Sequence, residues 1–168
     1  MKPKHEYRIL GLRARFAIVT RVLESWCRDH GIEWAGRDAF FDYLWELPTT
    51  EDLPGWDAGL RSDPIAGFAL GDSCPADLSR GLASASLPER TGRMIFEHAF
   101  EVVYSSLYGA PDDDGSLESL QRVTQTARSQ IFDAGDLRSC RFDDAHGWGY
   151  AVSEQTRDNW RRLPLSIS

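Results

Sequence analysis

The residues best suited to chemistry lie close together near the C-terminus, in the segment DDAHGWGY. Asp143, Asp144 and His146 place two carboxylates and an imidazole on a glycine-flanked loop, a set that can bind a metal ion or carry out acid–base catalysis. A catalytic interpretation needs a further polar group beside this loop, for which His98 and Glu101 are the candidates. The alternative is a structural turn whose aspartates accept hydrogen bonds from backbone amides while its aromatic residues pack on the core.

Other patterns of catalytic or cofactor-binding residues are missing from the sequence. There is no HExxH motif, no closely spaced Cys/His set, no glycine-rich phosphate-binding loop and no GxSxG nucleophile motif. Glu101 follows His98 by three residues, which reverses the order found in di-iron bundles. Cys27 lies near a helix end whose dipole disfavours a thiolate, so it is interpreted as a buried thiol. We therefore expect no metal, no cofactor and no catalytic residue.

Several acidic and aromatic residues instead have the composition of a protein-binding surface. One acidic ridge repeats every four residues, a second stripe combines two glutamates with two tyrosines on one helical face, and three aspartates follow in a run. Tyrosine rings provide contact area with a polar tip, while carboxylates steer a basic partner. A tryptophan between acids adds a possible anchor. The partner-binding candidates are Asp38, Asp42, Glu46, Trp56, Glu97, Glu101, Tyr104, Tyr108, Asp112, Asp113 and Asp114.

Each of these features also has a structural interpretation that the sequence leaves open. The tyrosines can pack beneath a neighbouring loop, Trp56 can fasten its own turn to the core, and acidic stretches can form an ordinary hydrated surface. The run of three aspartates is expected to be a solvated connector, with Ser116 capping the helix that follows.

Charge is distributed unevenly along the chain, whose formal net charge is −7. Residues 1–30 contain more bases than acids, whereas the remainder is strongly acidic. Acidic stretches repel phosphate, which argues against binding to nucleic acid or to an anionic membrane. They suit a basic protein partner.

The elements that must position these residues are predicted to be helices, so the fold class is all-α: a helical bundle with an irregular, Pro/Gly-rich middle and a minor β element. A long first helix is expected to end near Gly31, and Ser153 to cap the last one. The segment from Ile65 to Leu70 is interpreted as a strand or a buried turn, and Tyr150 to Val152 as a strand.

The first helix has apolar residues alternating three and four apart, at Ile9, Leu12, Phe16, Val19, Leu23 and Trp26, with Arg13 on the polar side. The other expected helices cover Asp38 to Leu47, Asp52 to Leu60, Ala76 to Ala83 and Glu89 to Tyr108, followed by one that starts at Ser116.

Length and cysteine content complete the classification. The 168 residues are expected to form one domain over 1–168, and no run of 18 apolar residues predicts a transmembrane helix. Cys27, Cys74 and Cys140 are odd in number and widely spaced, which favours reduced thiols and a cytoplasmic location. Arg13 and Arg15 interrupt the first apolar stretch, which argues against a signal peptide.

In size, acidity and helical texture, the whole chain resembles the immunity proteins of bacterial toxin–immunity systems. The resemblance rests on the two acidic stripes and the run of aspartates. It implies a protein that covers the active site of a toxin, often a basic toxin that acts on nucleic acid. Two alternatives remain at this point: a small enzyme using the Asp143–Asp144–His146 loop, and a phage-type inhibitor of a host complex. The oligomeric state is left open.

Overall fold

Residues 4–167, which are the part of the chain that the computed structural model describes, form nine α-helices and one two-stranded sheet. This arrangement confirms the all-α prediction with a minor β element. In chain order the elements are α1 (Lys4–Arg8), α2 (Leu12–Asp29), α3 (Arg37–Leu44), α4 (Leu53–Arg61), α5 (Pro64–Ala69), α6 (Ala76–Ser84), α7 (Glu89–Tyr104), α8 (Asp113–Ala127), β1 (Ser129–Ile131), α9 (Glu154–Arg161) and β2 (Leu165–Ile167).

Helix α2 lies at the centre of the fold, where it packs against α3, α7, α8, α9 and β1. Its expected apolar face is confirmed from Leu12 to Trp26, all of whose predicted members are buried. Ile9 is an exception and is 49% exposed, because the chain leaves the helical path between α1 and α2. Gly11, at this break, lets the backbone of Trp148 approach closely. A Cβ atom there would lie 2.6 Å from the carbonyl oxygen of Trp148.

Two arginines of α2 are buried, which the helical pattern did not predict. Arg13, expected on the polar side, is only 6% exposed, and Arg15 is completely buried. The Arg13 guanidinium donates hydrogen bonds to the carbonyl oxygens of Leu47, Thr50 and Gly149. Because α2 has neighbours on most of its sides, a guanidinium on it must be satisfied by protein acceptors rather than by water.

The Pro/Gly-rich middle of the chain forms the short helices α4 to α6, as the frequent prolines predict. The interpretation of Ile65 to Leu70 as a strand or turn was wrong, because most of this segment belongs to α5. The side chain of Asp63 caps α5 by accepting a hydrogen bond from the Ile65 N–H at 2.8 Å, and Pro64 occupies the first helical position. A helix of six residues is too short to show a helical repeat in the sequence.

The connection between α7 and α8 also differs from expectation. α7 ends at Tyr104 rather than Tyr108, and α8 begins at Asp113 with Asp112 as its N-cap. The Asp112 carboxylate accepts a hydrogen bond from the Gly115 N–H at 3.0 Å, the role expected of Ser116. Aspartates are favourable at an N-cap and in the first helical turn for two reasons. Their carboxylates accept hydrogen bonds from the free backbone N–H groups, and their negative charge interacts favourably with the positive end of the helix dipole. The run of aspartates is therefore a helix start and not a connector.

The C-terminal part of the chain contains the sheet and the last helix. β1 and β2 pair antiparallel, with Ile131 opposite Leu165. The strand expected at Tyr150 to Val152 was wrong. The Val152 N–H donates instead to the carbonyl oxygen of Pro48. The cap at Ser153 is confirmed, since its hydroxyl accepts a hydrogen bond from the backbone N–H three residues later.

None of the helices within residues 4–167 is long and apolar enough to cross a membrane. All three cysteines are free thiols, and Cys27 and Cys140 are buried. Burial raises the pKa of both buried thiols, which disfavours the nucleophilic thiolate form.

Candidate functional site

The acidic ridge expected on α3 lies on the surface, but some of its carboxylates pair with arginines of this chain. The Asp38 side chain is 88% exposed and accepts a hydrogen bond from Arg37. Asp42 pairs with Arg161 of α9 at 2.7 Å. Glu46 is exposed just beyond the end of α3. The ridge therefore keeps two exposed carboxylates, of which Asp38 is hydrogen-bonded to the adjacent Arg37, and uses the third to attach α9.

A groove of about 620 Å³ adjoins this ridge. Ala39 and Tyr43, which line it, each follow an acidic ridge residue in the sequence, so the ridge and the groove occupy adjoining sides of α3. The opposite wall comes from α4, the start of α5 and the segment before α6. The lining residues are Trp34, Ala35, Gly36, Ala39, Phe40, Tyr43, Gly59, Ser62, Asp63, Pro64, Ile65, Pro75 and Asp77.

Two carboxylates in this groove are held in place by backbone N–H groups. One oxygen of Asp63 accepts the capping hydrogen bond of α5 described above. Asp77 accepts hydrogen bonds from the backbone N–H groups of Ala35 at 2.8 Å and Leu78 at 3.1 Å. The bond from Ala35 is the main reason that the pKa of Asp77 lies below its usual range. Within the described part of the chain, no Lys or Arg side chain lines this groove.

The groove continues past Trp34, Ala35 and Asp77 into a shallower depression bordered by Glu33 and Arg80. Arg80 is the cation nearest to Asp77 in the lining of this extension. The extended surface therefore has an acidic, aromatic end at α3 and a mixed-charge end at α6.

Trp56 does not serve as an exposed anchor, contrary to its place among the partner-binding candidates. The indole is only 4% exposed and packs edge-on against Phe16, with ring centroids 5.4 Å apart. It also stacks on Tyr43 and donates its N–H to the Tyr43 carbonyl oxygen. Because α4 turns this residue toward α2, Trp56 fastens its turn to the core, which was the alternative interpretation.

The glutamate–tyrosine stripe expected on α7 is divided in the structure. Glu97 is exposed and Glu101 is half-buried. Tyr104 is also half-buried, and its buried hydroxyl has no hydrogen-bond partner among the described residues. Burial raises the pKa of that phenol. Tyr108 lies outside the helix and is 71% exposed. The four residues thus do not form one continuous binding stripe.

Tyr108 is held by a buried carboxylate that the sequence analysis missed. Its hydroxyl donates to Asp57 at 2.6 Å, which is the main reason that the pKa of Tyr108 is raised. Asp57 is 1% exposed and also pairs with Arg61, whose guanidinium lies over the ring of Tyr104. The spacing of Asp57 and Arg61, four residues apart on a short helix, was the available sequence signal.

The run Asp112, Asp113 and Asp114 is used for folding. Asp112 caps α8. Asp113 pairs with Arg15 at 2.6 Å and with Arg8, and Asp114 pairs with Arg8 at 2.8 Å. These contacts join the N-terminal helices to α8 and neutralise much of the acidic run.

The candidate catalytic loop contains no converging set of functional groups. Asp143 is 83% exposed and pairs with Arg141, and His146 is also exposed. His98 and Glu101 line a separate polar cleft between α7 and α8, to which the loop does not contribute. Among the described residues, no group of three or more His, Cys, Asp or Glu side chains is arranged to hold a metal ion.

The loop is instead a tightly packed structural turn. Ala145, His146 and Gly147 all have positive φ angles, and Gly147 and Gly149 have no room for a side chain. A Cβ at Gly149 would lie 2.3 Å from the sulfur of Cys140. The left-handed conformation of the two non-glycine residues is unfavourable by itself and is maintained by this surrounding packing.

No protein family model matches the sequence, and no curated protein or solved structure is significantly similar to it.

Proposed function

We propose that this protein is an inhibitor that binds another protein, of the kind found in toxin–immunity systems, and that it covers the active site of a basic toxin domain. The observation that carries this proposal is the coincidence of an acidic ridge and an apolar, acid-containing groove on α3. Asp38 and Glu46 are exposed on the ridge, while Asp63 and Asp77 line the groove.

The physical logic is that of a steered and anchored interface. Carboxylates exposed around α3 attract a basic partner over distances up to about 10 Å at moderate salt and accelerate its association. The groove then supplies a concave, largely apolar surface in which one or two partner side chains can be desolvated. The other acidic stretches contribute to steering, but Asp113 and Asp114 are already paired with arginines of this chain.

Affinity capture from the source organism tests this function. The tagged protein is compared with the variant Asp38→Lys/Glu46→Lys, whose two changes lie at exposed positions. We expect the unaltered protein to retain one stoichiometric basic protein at moderate salt and the variant to lose it. The captured protein is then expressed in a host cell with and without the inhibitor, and we expect growth arrest only without it.

A matched control separates the α3 surface from general charge effects. Glu97→Lys/Glu101→Lys makes the same change in net charge on α7. We expect this control to retain the captured protein. Capture that is identical for all three proteins, or a captured protein whose activity is unaffected, would contradict the proposed function.

A further inference from the structure

The groove beside α3 is shaped for a slender side chain with a charged end. The groove is bordered by the small residues Ala35, Gly36, Ala39 and Gly59, and the backbone at Gly59 packs closely on the hydroxyl end of Tyr43. At about 620 Å³ the groove lies within the range of cavities that bind small ligands, roughly 300–1,000 Å³.

The charged groups in the groove are acidic and fixed. Asp63 and Asp77 are each held by backbone N–H groups at 2.8 Å, so their orientation is set before any partner arrives. A carboxylate has about four acceptor positions, and these bonds use only one or two of them. The lowered pKa of Asp77, caused mainly by the Ala35 N–H, keeps this group ionised to lower pH than an ordinary aspartate.

The aromatic floor favours a guanidinium over an ammonium group. Trp34, Phe40 and Tyr43 line the same groove as the two carboxylates, with Trp34 and Phe40 largely buried and Tyr43 half-buried. A guanidinium is planar, is weakly hydrated and stacks on rings while it donates to carboxylates, whereas an ammonium ion is compact and strongly hydrated.

The chain binds its own arginines with this combination of groups. Arg61 lies 5.1 Å from the ring centre of Tyr104 and pairs with Asp57. Arg161 lies 5.9 Å from the ring centre of Trp45 and pairs with Glu24 at 2.7 Å. The groove has the ring and the carboxylates of such a site, but no arginine from the described part of the chain lines it.

From these observations we infer that the groove receives an arginine side chain of the partner protein, with its guanidinium bound by Asp63 and Asp77 and its aliphatic stem against Ala39. This inference rests on the proposed function, because the arginine belongs to the basic protein that is inhibited. Arg80 lines the extension of the groove together with Asp77.

The first test uses a peptide probe and needs no knowledge of the partner. The ¹⁵N-labelled protein is titrated with the peptide acetyl-GRGRG-amide and with two matched peptides that contain lysine or uncharged citrulline in place of arginine. We expect chemical-shift changes at the backbone amides of Gly36, Ala39 and Gly59, with the arginine peptide binding most tightly. Equal affinity for arginine and citrulline, shifts confined to another surface, or no binding would overturn the inference.

Charge-removing variants that keep the fold then test the two carboxylates. Asp63→Asn retains an oxygen that accepts from the Ile65 N–H, and asparagine is a good N-cap. Asp77→Asn retains an oxygen for the Ala35 N–H but loses the longer bond from the Leu78 N–H. We expect each variant to raise Kd for the arginine peptide roughly fivefold, since the guanidinium then bonds to a neutral amide oxygen instead of a carboxylate. Asp143→Asn, which removes an exposed charge outside the groove, serves as the control and should leave Kd unchanged.

A steric variant tests the groove itself. Ala39→Leu places a larger side chain at an exposed helical position and is compatible with α3, because leucine is a good helix former. We expect it to weaken binding of the arginine peptide at least roughly fivefold without changing any charge. Unchanged binding would place the arginine elsewhere.

The outcomes distinguish this inference from the function on which it rests. If the arginine peptide fails to bind while Asp38→Lys/Glu46→Lys still releases the captured protein, the arginine assignment is wrong and the proposed function stands. If the peptide binds at the groove while no basic protein is captured, the arginine site stands and the inhibitor function is wrong.

Discussion

The buried Arg15 provides a sharp test of how the acidic run at the start of α8 is used. Its guanidinium donates to the carbonyl oxygens of Leu10 at 2.9 Å, Arg8 at 3.1 Å and Asp113 at 3.2 Å, and to the Asp113 carboxylate at 2.6 Å. It also lies 4.8 Å from the ring centre of Phe142. Arg15→Met keeps an unbranched apolar stem but removes all four hydrogen bonds.

The expected loss follows from these contacts. Each buried carbonyl oxygen left without a donor costs about 1–3 kcal/mol, and Arg15→Met removes a donor from three carbonyl oxygens, while the Asp113 carboxylate keeps its pair with Arg8. We therefore expect Arg15→Met to lower the free energy of unfolding by about 3–5 kcal/mol. For a domain of this size, that loss corresponds to a fall in Tm of about 6–20 °C.

Chemical denaturation and thermal unfolding measure this effect, with Arg8→Met as the matched control. Arg8 pairs with the same carboxylate of Asp113, but its side chain is 45% exposed. Exposed ion pairs contribute little, so we expect a much smaller loss for Arg8→Met. A loss below about 1 kcal/mol for Arg15→Met, or equal losses for the two variants, would refute the structural role assigned to Asp113.

Two further predictions concern the aromatic residues. Because Trp56 is buried, we expect Trp56→Ala to lower the free energy of unfolding, measured by urea denaturation, by about 3–5 kcal/mol. The affinity of the folded variant for its partner should be unchanged. A variant that keeps its stability but loses affinity would show that Trp56 is a binding anchor. Burial raises the pKa of Tyr7 to about 12. At a pH between the ordinary pKa near 10 and this raised value, the phenol stays neutral in the folded protein but ionises in the unfolded chain. Its contribution to stability is therefore present below the ordinary pKa and is lost as pH rises toward about 12. Phenolate absorbance at alkaline pH, compared between the protein and Tyr7→Phe, should show this late titration, and a titration of Tyr7 near pH 10 would contradict it.

Regular helical patterns were predictable from the sequence because their signal is local. The apolar spacing through Phe16 and Leu23 identified α2, and Ser153 identified the start of α9. Errors occurred where local signals compete. Asp112 and Ser116 can both cap a helix, and the choice between them depends on the ion pairs that the following aspartates make with Arg8 and Arg15.

The groove could not be predicted from the sequence, because its residues extend from Trp34 to Asp77 and come together only through tertiary packing. The burial of Arg13, Asp57 and Trp56 has the same origin, since a polar or aromatic residue on a helical face is buried or exposed according to its neighbours. One local signal was available. The pair Asp63–Pro64 is typical of a helix start and would have corrected the interpretation of α5.

The measurement that tests the central claim most directly is the dissociation rate of the captured partner from two charge-reversed surfaces. Charges near an interface change the association rate, whereas groups within the contact change the dissociation rate. We predict that Asp38→Lys/Glu46→Lys accelerates dissociation at least about tenfold, and that Glu97→Lys/Glu101→Lys slows association but leaves dissociation unchanged. The opposite pattern, with dissociation accelerated only by the changes on α7, would contradict the assignment of the binding site to α3.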